Sequence, residues 1–510
     1  MKLTDVWNEK QQWLDKGYEV FSYDRCEMVR RSIAEPEWVH FGAGNLFRAF
    51  QAVYADELLD AGILTKGISA VGGRNPQIID TFYRDLDNLH ISVTLKNDGS
   101  LRKRVVGSIA ESLKIDDTDR LKEIFASPSL KVATFTITEK GYKVTEEELK
   151  EQKDPEHASS YFGRIAALLH HRYRSGALPL TLSSQDNCSH NGDVLKEVIR
   201  KFAGNWKEEG FMAYVEEKLA FPISMIDKIT PRPDRHIAAS LKEDGVEEID
   251  RFDPDHYMNC FVNAEECQYL VIEDHFRNGR PQWEQAGIIF TDRQTVDLCE
   301  RMKVTTCLNP VHTSLAIFGC LLGYRLISEE MQDETLRKLA EHVGYDEGLP
   351  VVSDPGILDP KEFIDTVLQE RLKNPYLPDT PQRIAMDTSQ KLPVRFGETL
   401  KAYQAKGKNL CDLHYIPLVF SGWLRYLTGL DDEGKEMTLS SDPLLEQLQP
   451  LLQYKLGDRV EKKDILPILQ NKEIFGVDLE KAGLADRITD DLNGMLKEAG
   501  AVRRTLEKHV

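Results

Sequence analysis

The chain has no CxxC pair and no zinc-type spacing; its eight cysteines stand singly at 26, 188, 260, 267, 299, 307, 320 and 411. This excludes small disulfide scaffolds and zinc modules, and reads as reduced thiols of a cytoplasmic protein. Basic residues are in deficit, 65 Lys and Arg against 84 Asp and Glu, for a net charge of −19. A nucleic-acid partner needs the opposite balance, whereas a local cationic pocket for a small anion does not. No run approaches 18 apolar residues, so neither a membrane span nor a membrane partner is expected. The opening MKLTDVWNEKQQWLDKG lacks the apolar core of a signal peptide. Repeats and low-complexity tracts are absent, no metal-ligand cluster is visible, and nothing marks an oligomeric state.

What is there is a long chain, 510 residues and 41% hydrophobic, enough for two domains. Residues 36–41, PEWVHF, read as a strand; 42–62 as a glycine turn and helix stopped by Gly62; GISAV, 67–71, as a second strand. This is a βαβ unit. Gly42, Ala43 and Gly44 form its turn, and Asn45-Leu46 open the helix. Such a turn lets backbone N–H groups approach a pyrophosphate, although Phe47 replaces the third glycine of the usual fingerprint. An NAD-binding strand ends on Asp or Glu. Here Gly73-Arg74-Asn75 fills that place, with Asp80 the nearest carboxylate. Arg74 suits a 2′-phosphate, favouring NADP, or stacks on adenine, which favours neither.

Further strands are expected at 130–142 and 177–187, with an amphipathic helix, YFGRIAALLHHRY, between them. Strand ends are where open α/β sheets place ligands, which puts Glu139 and Gln185-Asp186-Asn187 in candidate positions. Polar turn chemistry is the alternative for each. A β-rich segment covers 261–292, and the pattern beyond is helical. The expected class is α/β: a dinucleotide-binding domain of Rossmann type, 1–290, then a mainly α-helical substrate domain, 291–510. The apolar stretch KVTTCLNPVHTSLAIFG, 303–319, carries Lys303, Asn309 and His312. Asn309-Pro310 suits a helix start, so capping is one role for Asn309.

Six blocks, in order, resemble the mannitol dehydrogenase family of long-chain polyol and sugar-acid dehydrogenases. They are HFGAGNLFRAF, TFTITEKGY, LSSQDNCSHNG, FPISMIDKITP (with Lys228 in place of the usual arginine), VIEDHFRNGRPQWEQAGIIFTD and RIAMDTSQKLPVR. The resemblance implies an NAD-dependent oxidoreductase acting on a secondary CH–OH group, with NADP the alternative and no metal. It implies Lys303 as acid/base, Asn187 and Asn309 as amide donors to the developing alkoxide, and His312 as substrate-orienting. Asp227 and Glu139 match acidic site positions. Glu300, placed to meet Lys303 at i,i+3, matches a glutamate linked to proton exchange. Arg383 and Lys391 match substrate-binding positions, and Arg395 adds a weaker candidate. The gap from Lys303 to Asn309 is one residue longer than is usual in the family. Length and block pattern stand nearest to members interconverting D-mannonate and D-fructuronate. Mannitol 2-dehydrogenases, other polyol dehydrogenases and tagaturonate reductases are the alternatives. A non-catalytic redox sensor is the reading from another class, and a proton-transfer lysine argues against it.

Overall fold

The structure, a computed structural model, describes residues 1–73 and 75–510, with Lys140 by its backbone only. It divides into two compact units, Met1–Asp297 and Leu298–Val510. In the first unit six parallel strands form one sheet: β1 Trp38–Phe41, β2 Ile68–Val71, β3 Ile109–Leu113, β4 Val132–Phe135, β5 Leu180–Ser184 and β6 Leu219–Ala220. Their order is β3-β2-β1-β4-β5-β6, the doubly wound arrangement whose crevice opens at the carboxyl ends of β1 and β4. The strands are short and almost wholly buried because both faces are covered. Val39 and Phe41 join a core with Phe135, Leu182 and Phe202, while Trp38 turns to the opposite core with Tyr54 and Trp283.

Three smaller sheets complete this unit, one of them the two-stranded pair Phe252–Asp253 and Met258–Asn259. Another runs Tyr18–Val20, Leu101–Val106, His90–Leu95, Phe261–Glu265. Its middle is an antiparallel hairpin turned at Asp98-Gly99, where Gly99 has φ +84°. The third pairs Ser224–Asp227 with Tyr269–Glu273 and the latter with Ile289–Thr291.

Two expectations need correction here. The helix after the glycine turn is two helices, α1 Asn45–Ala49 and α2 Gln51–Asp60, broken at Phe50 with φ −126° and ψ −73°. Phe50 is buried in the core, so packing overrides the helical run there. The strand expected over 130–142 stops at Phe135, since Thr138 takes φ +70° and starts a tight turn at Glu139–Tyr142. One helical stretch is long enough to span a membrane, but it is a buried core helix and leaves the expectation of no membrane span standing. The stretch Arg293–Leu322 spans 30 residues; its most apolar 18-residue window has mean hydropathy 1.2 and is 78% buried.

The second unit is helical. Helix α3, Arg293–Met302, leads through a π turn, Lys303–Cys307, into α4, Asn309–Leu322. From Pro310 to Leu321 every residue of α4 is buried. Further π turns lie at His342–Gly348, Val367–Arg371 and Pro393–Gly397, the last running from α5, Thr388–Leu392, into α6, Glu398–Ala405.

Candidate active site

Each unit carries its own share of the candidate residues. In the first, Phe41, Phe135 and Ser184 stand in register across β1, β4 and β5. Gly42, the turn holding Glu139, and Gln185-Asp186-Asn187 therefore leave the sheet side by side. Gly42 has φ +110°, and a Cβ there would lie 2.1 Å from the Thr136 carbonyl oxygen, so only glycine fits. At Gly44 a Cβ would meet nothing within 4 Å, which leaves open space over the turn. The turn is held from behind: the Gly42 N–H donates to Val71 O at 3.0 Å, and Tyr83 Oη donates to the Ala43 carbonyl at 2.9 Å. The N–H groups of the first turn of α1 have no partners within the helix. A closely approaching anion fits this turn, so Gly42, Ala43, Gly44, Asn45 and Leu46 are suited to a dinucleotide pyrophosphate. Asn45 also donates to the Tyr257 carbonyl at 2.9 Å, and Leu46 packs on the core. Phe47, standing where the third glycine was absent, is fully buried and stacks on His40 of β1 at 4.1 Å. Arg74 lies outside the described residues. Asp80 is engaged with Lys114 at 2.5 Å and Arg84 at 3.3 Å.

The three polar residues after β5 separate into different roles. Gln185 is buried and accepts from Gln51 Nε2 at 2.8 Å. Asp186 is buried and accepts from the N–H groups of Ile137 (3.1 Å) and Thr138 (2.7 Å) and from Tyr142 Oη (2.6 Å). Burial pushes its carboxyl up and these donors pull it back. Asp186 thus fixes the loop that presents the exposed Glu139, a positioning role that sequence reasoning did not separate from Asn187. Asn187 itself is exposed. Asp227 is buried at the end of its strand, and the next residue, Lys228, donates to Glu265 O at 2.7 Å and Gln268 Oε1 at 3.0 Å.

In the second unit Lys303 is 4% exposed and opens the π turn. The Leu308 N–H donates to the Lys303 carbonyl at 3.1 Å, the i→i+5 bond of a π turn. Such a turn takes up one additional residue within a helix. This turn can take up the longer gap between Lys303 and Asn309, and it closes at Leu308, directly before Asn309-Pro310. The displaced Thr305 carbonyl is not left bare, because Thr399 Oγ1 donates to it at 3.0 Å. Asn309 is not a cap. Leu308 holds the N-cap position, and the half-buried Asn309 amide makes no side-chain hydrogen bond among the described residues. Glu300 is half-buried and forms no ion pair with Lys303 among the described residues, contrary to the i,i+3 expectation.

Around His312 the second unit gathers positive charge. His312 Nε2 is 3.5 Å from Asp379 Oδ2 and makes no hydrogen bond among the described residues. Its pKa is pushed down to about 4, first by burial and then by Arg395, Arg383 and Arg371, with Asp379 opposing. The imidazole is therefore neutral near pH 7. Exposed Arg383 pairs with Asp379. Lys391 donates to the carbonyls of Ile384 (3.1 Å) and Met386, and its pKa is pushed down to about 8 by burial and by Arg395. Arg395 donates to Thr313 Oγ1. Asp379 and Arg371 were not singled out from the sequence. The i,i+4 spacing of Asp379 and Arg383 was the available signal for the first, and Arg371 had none. Among the described residues no three His, Cys, Asp or Glu side chains come together as a metal set.

Residues 36–285 match the mannitol dehydrogenase Rossmann domain and 295–496 the mannitol dehydrogenase C-terminal domain. The chain is 46% identical to the D-mannonate oxidoreductase of Thermotoga maritima, over 98% of this chain and 97% of that protein. It is 30% identical to the D-mannonate oxidoreductase of Escherichia coli, over 84% and 89%. Among solved structures, the mannitol 2-dehydrogenase of Pseudomonas fluorescens, a ternary complex with NAD and D-mannitol, aligns with TM-score 0.72 and 27% identity over 98% of each chain. Both halves of the chain, its parallel sheet with the glycine turn and its helical unit, thus carry one ancestry: it belongs to the mannitol dehydrogenase family.

Proposed function

We propose that the protein is an NAD-dependent oxidoreductase that interconverts D-mannonate and D-fructuronate. The observation that carries the choice of a sugar acid is the cationic cluster of the second unit, in which Arg371, Arg383 and Arg395 act on His312, and Arg383 and Arg395 on Lys391. A neutral polyol needs hydrogen-bond partners but no such charge, whereas a carboxylate is matched by it. The 46% identity to a D-mannonate oxidoreductase points the same way.

The chemistry follows from the side chains. NAD, when bound on the Gly42–Leu46 turn, supplies the hydride acceptor. Lys303, largely withdrawn from solvent, takes the proton of the substrate's secondary hydroxyl as the C–H bond gives up its hydrogen with two electrons; in reduction it returns that proton. Asn187 and Asn309 are the amides assigned to the alkoxide, where donors fixed in advance are most effective. Neutral His312 can accept from a substrate hydroxyl or donate to one, and Asp379 beside it biases the ring's orientation. Asp227, Glu139 and Glu300 keep the acidic roles the family resemblance implies. We assign the protein to the cytoplasm, a reading supported by the free thiols of Cys26, Cys260, Cys299, Cys307, Cys320 and Cys411. Neither nucleic acid nor membrane enters it as a partner.

The test is nicotinamide absorbance with D-mannonate, D-altronate, D-mannitol, D-arabinitol and, in the reverse direction, D-fructuronate. Turnover should be highest with mannonate and fructuronate. Turnover of mannitol without mannonate would replace this reading with that of a polyol dehydrogenase.

A further inference from the structure

We propose that Arg395 is the anchor for the substrate's carboxylate, and so the residue by which this site tells a sugar acid from a neutral polyol; the proposal rests on the sugar-acid reading above. Three observations place it there. First, its tether: an Nη1–H donates to Thr313 Oγ1, and Thr313 Oγ1 in turn donates to the Asn309 carbonyl at 2.8 Å. One hydrogen bond thus ties the guanidinium to Thr313, beside His312, and a second ties Thr313 to the Asn309 backbone at the start of α4. Second, its neighbours are already committed. Arg383 is exposed and paired with Asp379, and the Lys391 ammonium is spent on two backbone carbonyls. Third, its own account is open. Arg395 is half-buried and forms no ion pair with a carboxylate among the described residues.

A guanidinium offers five N–H groups in a planar fork, and Thr313 takes one of them. Withdrawing that charge from water is costly without a counterion, and burial accordingly pushes its pKa down to about 10. A planar carboxylate that accepts two parallel N–H bonds is the ligand that best offsets this. The π turn Pro393–Gly397 contributes by setting the side chain's direction, since it interrupts the α-helical progression from Lys391. Thr313 is the consequence to notice: it joins the substrate's acid end to the helix turn that carries the amide and imidazole assigned to its alcohol end.

The experiment measures kcat and KM for D-mannonate and for D-mannonamide, its neutral near-isostere, with the full-length wild type, Arg395→Gln and Arg395→Lys. Wild type should prefer the acid by about 10²-fold in kcat/KM, the scale of a lost charge-assisted pair. In Arg395→Gln the preference should collapse to within about threefold, through a rise in KM for the acid much larger than any change for the amide, with NAD affinity intact. Arg395→Lys should restore part of the preference. Equal losses on acid and amide would make Arg395 a structural residue and overturn this proposal alone. A wild type that turns over neutral polyols but not mannonate would overturn the proposed function and this inference together. Should the glutamine variant melt well below wild type, the same ratio is read from the lysine variant, and an unchanged acid preference in wild type over the amide, near unity, overturns the proposal without any variant.

Discussion

Replacing Gly42 and Gly44 by alanine separates two demands that one turn makes. At Gly42 the demand is internal. An L-residue at φ +110° costs about 1–3 kcal/mol in backbone strain. Its Cβ would also stand 2.1 Å from the Thr136 carbonyl oxygen, so β1 and β4 must part or the turn must move. Together these give about 3–4 kcal/mol, or a fall of about 6–16 °C in the melting transition of the first unit. At Gly44 the demand is external. Its φ of −97° suits any residue and a Cβ there touches nothing, so Gly44→Ala should leave melting within about 1 kcal/mol of wild type. The methyl group would instead occupy the space a pyrophosphate needs, and NAD affinity should fall at least about tenfold. Differential scanning calorimetry and NAD titration by protein fluorescence, run on both variants, read the two effects separately. A stable Gly44→Ala protein with wild-type NAD affinity would refute the argument that this turn carries the cofactor.

Lys303→Ala should lower kcat by about 10²–10⁴-fold while NAD still binds; near-normal turnover in the variant would remove this lysine from the chemistry. Thr399→Val leaves the buried Thr305 carbonyl without its donor, which costs about 1–3 kcal/mol. Because that carbonyl belongs to the turn holding Lys303, kcat should fall about tenfold with KM little changed, and Thr399→Ser should restore it; stability loss with unaltered kcat would reduce Thr399 to a structural part. For His312, both folded and unfolded forms are neutral above about pH 6.5, so no penalty applies there. As pH falls toward the folded value of about 4, the unfolded chain binds a proton that the folded one resists, and about 3 kcal/mol of stability drains away. Urea unfolding between pH 7 and 4 should therefore show a shallower pH dependence in His312→Gln than in wild type, and identical slopes would contradict the burial argument.

The parts legible from sequence were those with local signatures. A strand, two glycines, a helix and a second strand announced the centre of the parallel sheet, and the Lys-Asn-His stretch stood out because polar residues interrupt an apolar run. What stayed hidden depends on contacts between distant residues. The hairpin of His90–Leu95 and Leu101–Val106 passed unnoticed although Asp98-Gly99 marks its turn, because its strands mix basic and apolar residues. The break at Phe50 follows from core packing, not from any helix breaker. Asp186 looked like its neighbours, and only the loop it clamps distinguishes a buried acceptor from exposed Asn187. Asn309 had the composition of a cap, yet Leu308 occupies that place because the preceding π turn shifts the helix start.

The π turns also have a historical meaning. When a single codon is inserted into a helix whose two ends are already locked by packing, the extra residue has nowhere to go along the axis and bulges outward. The turn at Lys303–Cys307 has that form. Relatives with the shorter spacing should then run as uninterrupted α-helix across the same place, with their lysine kept in step with the helix behind it. Alignment methods that spread the gap evenly would misplace it. Deleting Val304 from this chain should return the stretch to uninterrupted α-helix and turn Lys303 out of step with Asn309.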